Sequence, residues 1–209
     1  MAAESILDRV ERYYSGRFAE HGATARGVDW NSAASQELRF RQLLRLVEDE
    51  PGRFSLNDYG CGYGALAPYL IRRNANVVYR GFDLSASMLE HARETYERPP
   101  DVVFVAHESN LGPADYTVAS GIFNVKLDVP EAEWRVYVLE TIDKLAQLSA
   151  RGFAFNMLTS YAEPEKMRPD LYYGDPCELF DQCIVRFTRH VALLQDYGLW
   201  EFTMIVRMQ

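Results

Sequence analysis

Alternating glycines between two carboxylates could bind a nucleotide-like ligand in this chain. Gly60, Gly62 and Gly64 follow a predicted strand and precede a predicted helix, so a ligand can lie against bare backbone that faces a helix N-terminus. Asp58 precedes the first glycine by two residues, and Asp83 ends the next predicted strand. A carboxylate at that strand end can accept hydrogen bonds from both hydroxyls of a ribose. The spacing therefore predicts a nucleoside site.

Two classes of ligand are bound in this way. The run Gly60-x-Gly62-x-x-Ala65 satisfies the relaxed dinucleotide fingerprint, so an NAD-dependent oxidoreductase stays open on the glycines alone. Asp58 favours the other class, because a carboxylate here would repel a pyrophosphate. A ligand with a positively charged amino-acid end and no phosphate would be attracted instead.

Predicted strands, which are short apolar runs, alternate along the chain with predicted helices, and these elements must position the residues named above. The predicted strands are Phe54–Tyr59, Val77–Phe82, Val102–Ala106, Tyr116–Ser120, Gly152–Leu158, Val191–Gln195 and Phe202–Met208. The predicted helices between them are Tyr63–Arg73, Ser87–Glu97, Glu131–Ser149 and Cys177–Phe187. This alternation predicts a parallel sheet with right-handed crossovers. The last two strands are too close in sequence for a crossover, so we expect an antiparallel hairpin.

Two of the predicted helices are preceded by residues that are typical of a helix N-terminus. Ser87-Met-Leu-Glu90 has the spacing of a capping box, and Asp175-Pro176 places a cap residue and a first-turn proline before the last helix. We therefore expect Ser85 or Ser87 to cap the helix that contains Glu90, and Asp175 to cap the last helix.

The first 52 residues form a separate predicted unit, a helical lid ahead of a core over residues 53–209. Apolar residues recur at helical spacing on both sides of an irregular stretch from Arg17 to Asn31, whose glycines and aromatics suit a loop folded over a ligand. Arg39, in the second of these helices, is expected to lie in water.

Charge and composition bound the possible partners. Lysine and arginine total 22 against 30 acidic residues, a net charge of −8, which disfavours binding to nucleic acid and to anionic membranes. We expect no membrane span. Cys61, Cys177 and Cys183 contain no C-x-x-C pair and the histidines are scattered, so we expect no disulfide framework, no metal site and a cytoplasmic location.

The run Asp58-x-Gly60-x-Gly62-x-Gly64, followed by Asp83 and by Asp115-Tyr-Thr-Val-Ala-Ser-Gly-Ile-Phe, resembles the class I S-adenosylmethionine-dependent methyltransferases. The resemblance covers about residues 54–209. It implies a Rossmann-like α/β fold with a seven-stranded, mostly parallel sheet, an antiparallel C-terminal hairpin and helices on both faces. It also implies S-adenosylmethionine as the cofactor.

By the same resemblance, Asp58 lies near the methionine end of the cofactor, Asp83 holds the ribose and Leu84 lies beside the adenine. The turn contributes backbone contacts, and the residues that end strand four flank the methionine portion. Adenine is bounded by the segment 107–110, from which we take Glu108. The implied cofactor-binding residues are Asp58, Gly60, Cys61, Gly62, Gly64, Asp83, Leu84, Glu108, Ser120 and Gly121.

The acceptor is harder to predict than the donor, because methyl transfer needs orientation more than a protein nucleophile. Strand four is followed by Ser120-Gly-Ile-Phe-Asn124 and not by an Asp/Asn-Pro-Pro-aromatic run, so we expect a small-molecule acceptor. The acceptor-binding candidates are Tyr14, His21, Trp30, Phe123, Tyr172 and Tyr173. No catalytic base is assigned, the oligomeric state stays open, and a non-catalytic S-adenosylmethionine-binding protein remains an alternative.

Overall fold

A seven-stranded sheet runs through the molecule in the computed structural model, which describes residues 5–208. Its strands are β1 (Phe54–Tyr59), β2 (Val77–Phe82), β3 (Val102–Val105), β4 (Ala114–Ala119), β5 (Ser149–Leu158), β6 (Val191–Leu194) and β7 (Glu201–Arg207). Their spatial order is β3-β2-β1-β4-β5-β7-β6. The first five strands pair in parallel, and β7 lies antiparallel to both β5 and β6. The predicted fold class and the C-terminal hairpin are confirmed.

Six helices are described, three of them connecting parallel strands. They are α1 (Ile6–His21), α2 (Ala33–Leu43), α3 (Leu66–Arg72), α4 (Ala86–Tyr96), α5 (Glu131–Gln147) and α6 (Pro176–Arg186). No helix in residues 5–208 is both long and apolar enough to cross a bilayer.

Alternating side chains along the strands divide the core into two apolar clusters, one on each face of the sheet. On β5, Ala154 belongs to the cluster that contains side chains of α2, α3 and α4, whereas Phe153 and Phe155 belong to the cluster of α5 and α6. Both faces are therefore covered by helices, as a parallel sheet requires.

The N-terminal segment is packed onto this sheet. Phe40 and Leu43 of α2 are buried in the same cluster as Leu56 of β1. A 3₁₀ helix, Ala25–Val28, connects α1 to α2, and a second one, Leu44–Val47, leads towards β1. The predicted ranges 1–52 and 53–209 include residues 1–4 and 209, which lie outside the described residues.

The predicted helix caps had different outcomes. Asp175 caps α6 as expected, its carboxylate accepting from the backbone N–H groups of Cys177 and Glu178 at 2.9 and 3.1 Å. At α4 the cap is Ser85 rather than Ser87, the other expected serine, and its side chain accepts from the N–H of Met88 at 3.4 Å. α4 therefore starts at Ala86, one residue earlier than predicted, and the backbone N–H of its cap Ser85 donates to Asp83 at 2.9 Å.

Candidate functional site

The glycine turn joins β1 to α3 at the C-terminal edge of the sheet. The backbone N–H groups of Gly60 and Cys61 both donate to the carbonyl of Phe82, at 2.8 and 2.9 Å, which ties the turn to the end of β2. Gly60 and Gly62 have φ values of 82° and 56°, which strain residues with a Cβ atom. Backbone without a side chain thus lies at the point where β1 and β2 end.

Beside this turn lies a cavity of about 110 Å³. Its floor comes from the ends of β1, β2 and β4, and residues of α1, the 3₁₀ helix Ala25–Val28 and α2 cover it. Four carboxylates line it, those of Glu11, Asp58, Asp83 and Glu108, and no lysine, arginine or histidine is among the described residues that do so. The cavity is therefore suited to a cationic ligand.

Asp58 is the most deeply buried of these acids. Its side chain is 3% exposed, and one carboxylate oxygen accepts a 2.7 Å hydrogen bond from the Tyr79 hydroxyl. Burial raises the pKa of Asp58 to about 7, against the opposing effect of that hydrogen bond. A cation placed beside Asp58 would favour the ionised form.

Asp83 is partly buried at the end of β2 and faces the turn. Its two oxygens accept from the backbone N–H groups of Gly62 at 2.7 Å and Ser85 at 2.9 Å. Burial raises the pKa of Asp83, and these backbone hydrogen bonds oppose the rise. Since each oxygen has a second lone pair, the oriented carboxylate can still accept from a ligand diol. Leu84, next in the chain, is exposed and also lines the cavity.

Glu108 lies in the short 3₁₀ turn after β3 and closes another side of the cavity. The Tyr59 hydroxyl and the Lys144 ammonium both donate to its Oε2 atom, at 2.7 and 2.9 Å. These bonds hold the carboxylate at the cavity wall, in the segment from which sequence reasoning chose it.

Ser120 and Gly121 follow β4 and also line the cavity. Asn156 of β5, fully buried, orients both, since its Oδ1 accepts from the Gly121 N–H at 2.8 Å and its Nδ2 donates to Ser120 Oγ at 3.2 Å. Sequence reasoning missed Asn156. Its signal was an amide within an otherwise apolar strand, which must find partners when buried.

The N-terminal segment contacts the two glycine-containing loops directly. A Cβ atom on Gly121 would overlap the Trp30 indole, and one on Gly62 would lie 3.0 Å from a Val28 methyl group. Tyr14 donates to the Gly121 carbonyl at 3.5 Å. The two aromatic acceptor-binding candidates of this segment, Tyr14 and Trp30, therefore lie in the cavity wall.

Arg39 contradicts its prediction, because it is buried rather than solvated. Its Nε atom donates to both carboxylate oxygens of Glu201, at 2.9 and 2.8 Å, and its guanidinium carbon lies 3.8 Å from the centroid of the Trp30 ring. The partner stands 162 residues away in the sequence, so spacing within α2 held no sign of it.

Several other predicted site residues lie away from the cavity. Phe123 is fully buried against Phe155 and Tyr137. Tyr172 is buried in that same core cluster, and His21, at the end of α1, lies near Glu20. None of the three lines the cavity.

Tyr173 and Gly64 also depart from the expected positions. Tyr173 lines a second, neighbouring cavity. Gly64 does not line the first cavity. A Cβ on Gly64 would crowd Phe104 and Ala92, so this glycine permits close packing of the turn on the core.

Cys61 lines the cavity, and burial raises the pKa of its thiol well above the usual value, which suits a packing role. No group of three metal-ligating side chains was found in residues 5–208.

Two comparisons of the sequence with known proteins give matches. A family model described as a methyltransferase domain matches residues 57–145. A Mycobacterium tuberculosis protein, named as a candidate methyltransferase, is 50% identical over 154 residues, which is 74% of this chain and 93% of that protein.

Solved structures show the same architecture at low sequence identity. Magnesium protoporphyrin IX methyltransferase from Synechocystis PCC 6803, with bound S-adenosylhomocysteine, aligns over 100% of this chain and 90% of its own, with a TM-score of 0.60 and 14% identity. The S-adenosylhomocysteine complex of DhpI aligns over 99% of both chains, with a TM-score of 0.61 and 13% identity. At this identity the likeness establishes the fold alone.

Proposed function

Because the chain belongs to the class I S-adenosylmethionine-dependent methyltransferases, we propose that the acidic cavity beside the glycine turn holds the cofactor and that the methyl group goes to a small molecule. The chain is thus an enzyme with S-adenosylmethionine as its methyl donor. In the proposed arrangement Asp83 holds the ribose hydroxyls, Asp58 faces the amino-acid end, and Glu108 lies at the adenine end.

The charge of the cavity carries this assignment. Four carboxylates and no basic side chain line it within the described residues. Glu108 is paired with Lys144 behind the wall, and the remaining acids favour a ligand with a sulfonium and an ammonium group. A dinucleotide would bring a pyrophosphate against the same carboxylates, at a cost from like-charge repulsion. The NAD-dependent alternative is therefore disfavoured by the site as well as by the family.

The protein's own contribution is orientation and exclusion of water. When bound, the cofactor supplies a methyl group on a positively charged sulfur, and an acceptor lone pair displaces that sulfur in line. Asn156 fixes the loop Ser120–Gly121, and Trp30 covers it. Well-oriented approach in a dry site can supply roughly 7–11 kcal/mol of the barrier in a displacement of this type. Asp58 and Asp83 bind the donor in the proposed arrangement.

A small-molecule acceptor is supported by how the site is enclosed. Tyr14, Val28 and Trp30 lie over the glycine loops, so a bulky polymer would have to displace them. The net charge of −8 also disfavours a polyanionic acceptor. The cytoplasm stays the predicted compartment, and the free thiols Cys61, Cys177 and Cys183 fit a reducing environment.

Calorimetry with S-adenosylhomocysteine and NADH tests the cofactor assignment. Wild-type protein should bind the homocysteine compound and not NADH. Asp83→Asn should weaken binding by about 10- to 100-fold, the loss expected for charge-assisted hydrogen bonds worth roughly 1.5–3 kcal/mol. Asp101→Asn is the control, since Asp101 is exposed and outside the cavity. Tight NADH binding, or equal effects of the two substitutions, would remove the assignment.

The acceptor class is tested by methyl labelling. A cell extract incubated with the enzyme and S-adenosylmethionine carrying a tritiated methyl group is separated into small molecules, protein and nucleic acid. Enzyme-dependent label should appear in the small-molecule fraction and be absent with Asp83→Asn. Label that appears mainly in protein or nucleic acid would contradict a small-molecule acceptor.

A further inference from the structure

A broad cavity of about 740 Å³ lies at the N-terminal ends of the parallel strands, opposite to the acidic cavity. The last turn of α2, the 3₁₀ helix Leu44–Val47 and the segment 73–76 before β2 line it. Phe54, the first residue of β1, contributes to its wall, whereas Gly60, just beyond the end of β1, lines the acidic cavity. A strand rises about 3.3 Å per residue, so the two cavities stand roughly 20 Å apart. The proposed cofactor site therefore does not account for this one.

Three arginines line this space, which we call the arginine cavity. Arg41 and Arg45 stand four positions apart, a spacing that places two helical side chains next to each other, and Arg73 follows α3. All three are exposed, and none of them forms an ion pair with another of the described residues. Like charges at this helical spacing repel each other. A bound anion would relieve the repulsion between Arg41 and Arg45.

The carboxylates of the wall do not neutralise these arginines. Glu50 accepts from the Tyr116 hydroxyl at 2.8 Å and pairs with Arg151. Glu48, the other acid of the lining, is exposed and forms no ion pair within residues 5–208. Three arginines against one unpaired carboxylate give the cavity a net positive charge in a chain whose net charge is −8. The cavity therefore attracts anions.

Gln42 provides an independent sign of a ligand. It is 8% exposed and lines the arginine cavity, yet its side-chain amide makes no hydrogen bond to the rest of the described chain, and its Oε1 atom is buried without a partner. Buried amides are almost always hydrogen-bonded. Rotation of the amide exchanges its oxygen and nitrogen, so the group can direct N–H donors into the cavity. Asn74 and Asn76, exposed in the same wall, add further amide donors.

The lining suits a phosphate group that is attached to an organic molecule. A guanidinium group presents its donors in a planar fork that matches phosphate oxygens, and a phosphate has enough oxygens to accept from several arginines at once. Leu44, Val47 and Leu70 give the same wall an apolar part, which inorganic phosphate would leave unused. The volume of about 740 Å³ lies within the range of small-molecule sites, about 300–1,000 Å³.

We propose that the arginine cavity binds a small organic phosphate. Arg41, Arg45 and Arg73 bind the phosphate oxygens. Gln42 donates a further hydrogen bond, and the apolar part of the wall packs against the organic group. Because the site is separate from the acidic cavity, this inference goes beyond the proposed function and does not depend on it.

Calorimetry with phenyl phosphate tests the proposal on the full-length protein at about 0.15 M ionic strength, where exposed charges are screened. The dissociation constant should lie below about 1 mM. Inorganic phosphate should bind at least about 3-fold more weakly, because it lacks the apolar ring. Arg45→Gln, Arg73→Gln and Gln42→Leu should each weaken the binding of phenyl phosphate by about 10-fold or more, the loss expected for a hydrogen bond to a charged group.

Arg72→Gln is the matched control. It removes the same charge from the position next to Arg73, but Arg72 pairs with Glu37 and does not line the cavity. This substitution should change the affinity by less than about 2-fold. The inference would be overturned by any of four results: no binding of phenyl phosphate, equally tight binding of inorganic phosphate, unchanged affinity in the three variants of the lining, or an equal loss with Arg72→Gln.

A lipid headgroup is the other source of an organic phosphate. Vesicles of phosphatidylglycerol should not retain the protein in a sedimentation assay, because a net charge of −8 opposes binding to an anionic surface. Retention of the protein by these vesicles would overturn the assignment of the cavity to a small molecule.

Discussion

Asp58 combines deep burial with a position where a cationic ligand end is expected. Its pKa is raised to about 7 because burial disfavours the carboxylate, so near neutral pH a large share of the free enzyme carries a protonated Asp58. Binding of an ammonium group requires the ionised form. Ligand affinity and proton release are therefore linked at this residue.

Affinity for S-adenosylhomocysteine should accordingly rise with pH. With a pKa near 7, the ionised fraction grows about 10-fold between pH 6 and pH 8, and the association constant should follow. Asp58→Asn should flatten most of this slope and bind more weakly at pH 8. Calorimetry across that range provides the measurement, and a wild-type slope in the variant would contradict it.

At the scale of single residues, the sequence could reveal Asp58 and Asp83 because each stands at a fixed offset within a strand–turn unit. The structure brings both to the same cavity. The sequence could not reveal the burial of Arg39, whose partner Glu201 lies on the last strand. Nor could it reveal that Gly64 packs inward against Phe104. Such contacts depend on how distant segments meet, which a local pattern does not encode.

Among the elements, α2 has an unusually specific attachment to the sheet. Its Arg39 forms a buried ion pair with Glu201 at the start of β7 and supports Trp30 at the same time. Removing one member of a buried pair leaves the other charge without compensation, which is far more costly than removing both.

Glu201→Gln should therefore lower the free energy of unfolding by about 3–5 kcal/mol, measured by urea denaturation. The double variant Arg39→Met/Glu201→Met should recover much of that loss. Glu37→Gln, which removes the partner of Arg72 in an exposed pair, is the control and should cost less than about 1 kcal/mol. A Glu201→Gln protein as stable as this control would show that the buried pair does not hold α2.

The predicted bounds of a strand or helix match the observed ones where residues close in the sequence determine them. β1 and β2 begin and end as predicted, since a short apolar run that is followed by turn residues defines a strand well. α3 starts at Leu66 rather than Tyr63 because Gly62 and Gly64 hold positive φ angles within the turn. β4 starts at Ala114, two residues earlier than predicted, where Asp115 pairs with Ser55 of β1. That contact between strands was invisible in the sequence.

On the scale of the whole molecule, the strand order places the cavity where open α/β sheets bind ligands. β2 and β4 flank β1 on opposite sides, so the chain passes to the other half of the sheet after β3 and leaves a crevice at the strand ends. The predicted alternation and hairpin led to this topology. The closure of the crevice by Val28 and Trp30 depended on tertiary packing of an irregular segment, which has no periodic signal.

A crystal structure of the complex with S-adenosylhomocysteine tests the central claim most directly. The account predicts the ligand in the acidic cavity beneath Val28 and Trp30, both ribose hydroxyls bonded to Asp83, and the amino-acid end directed to Asp58 and the loop at Gly121. A ligand bound elsewhere, or one in this cavity whose ribose is held by other side chains while Asp83 contacts only Gly62 and Ser85, would contradict it.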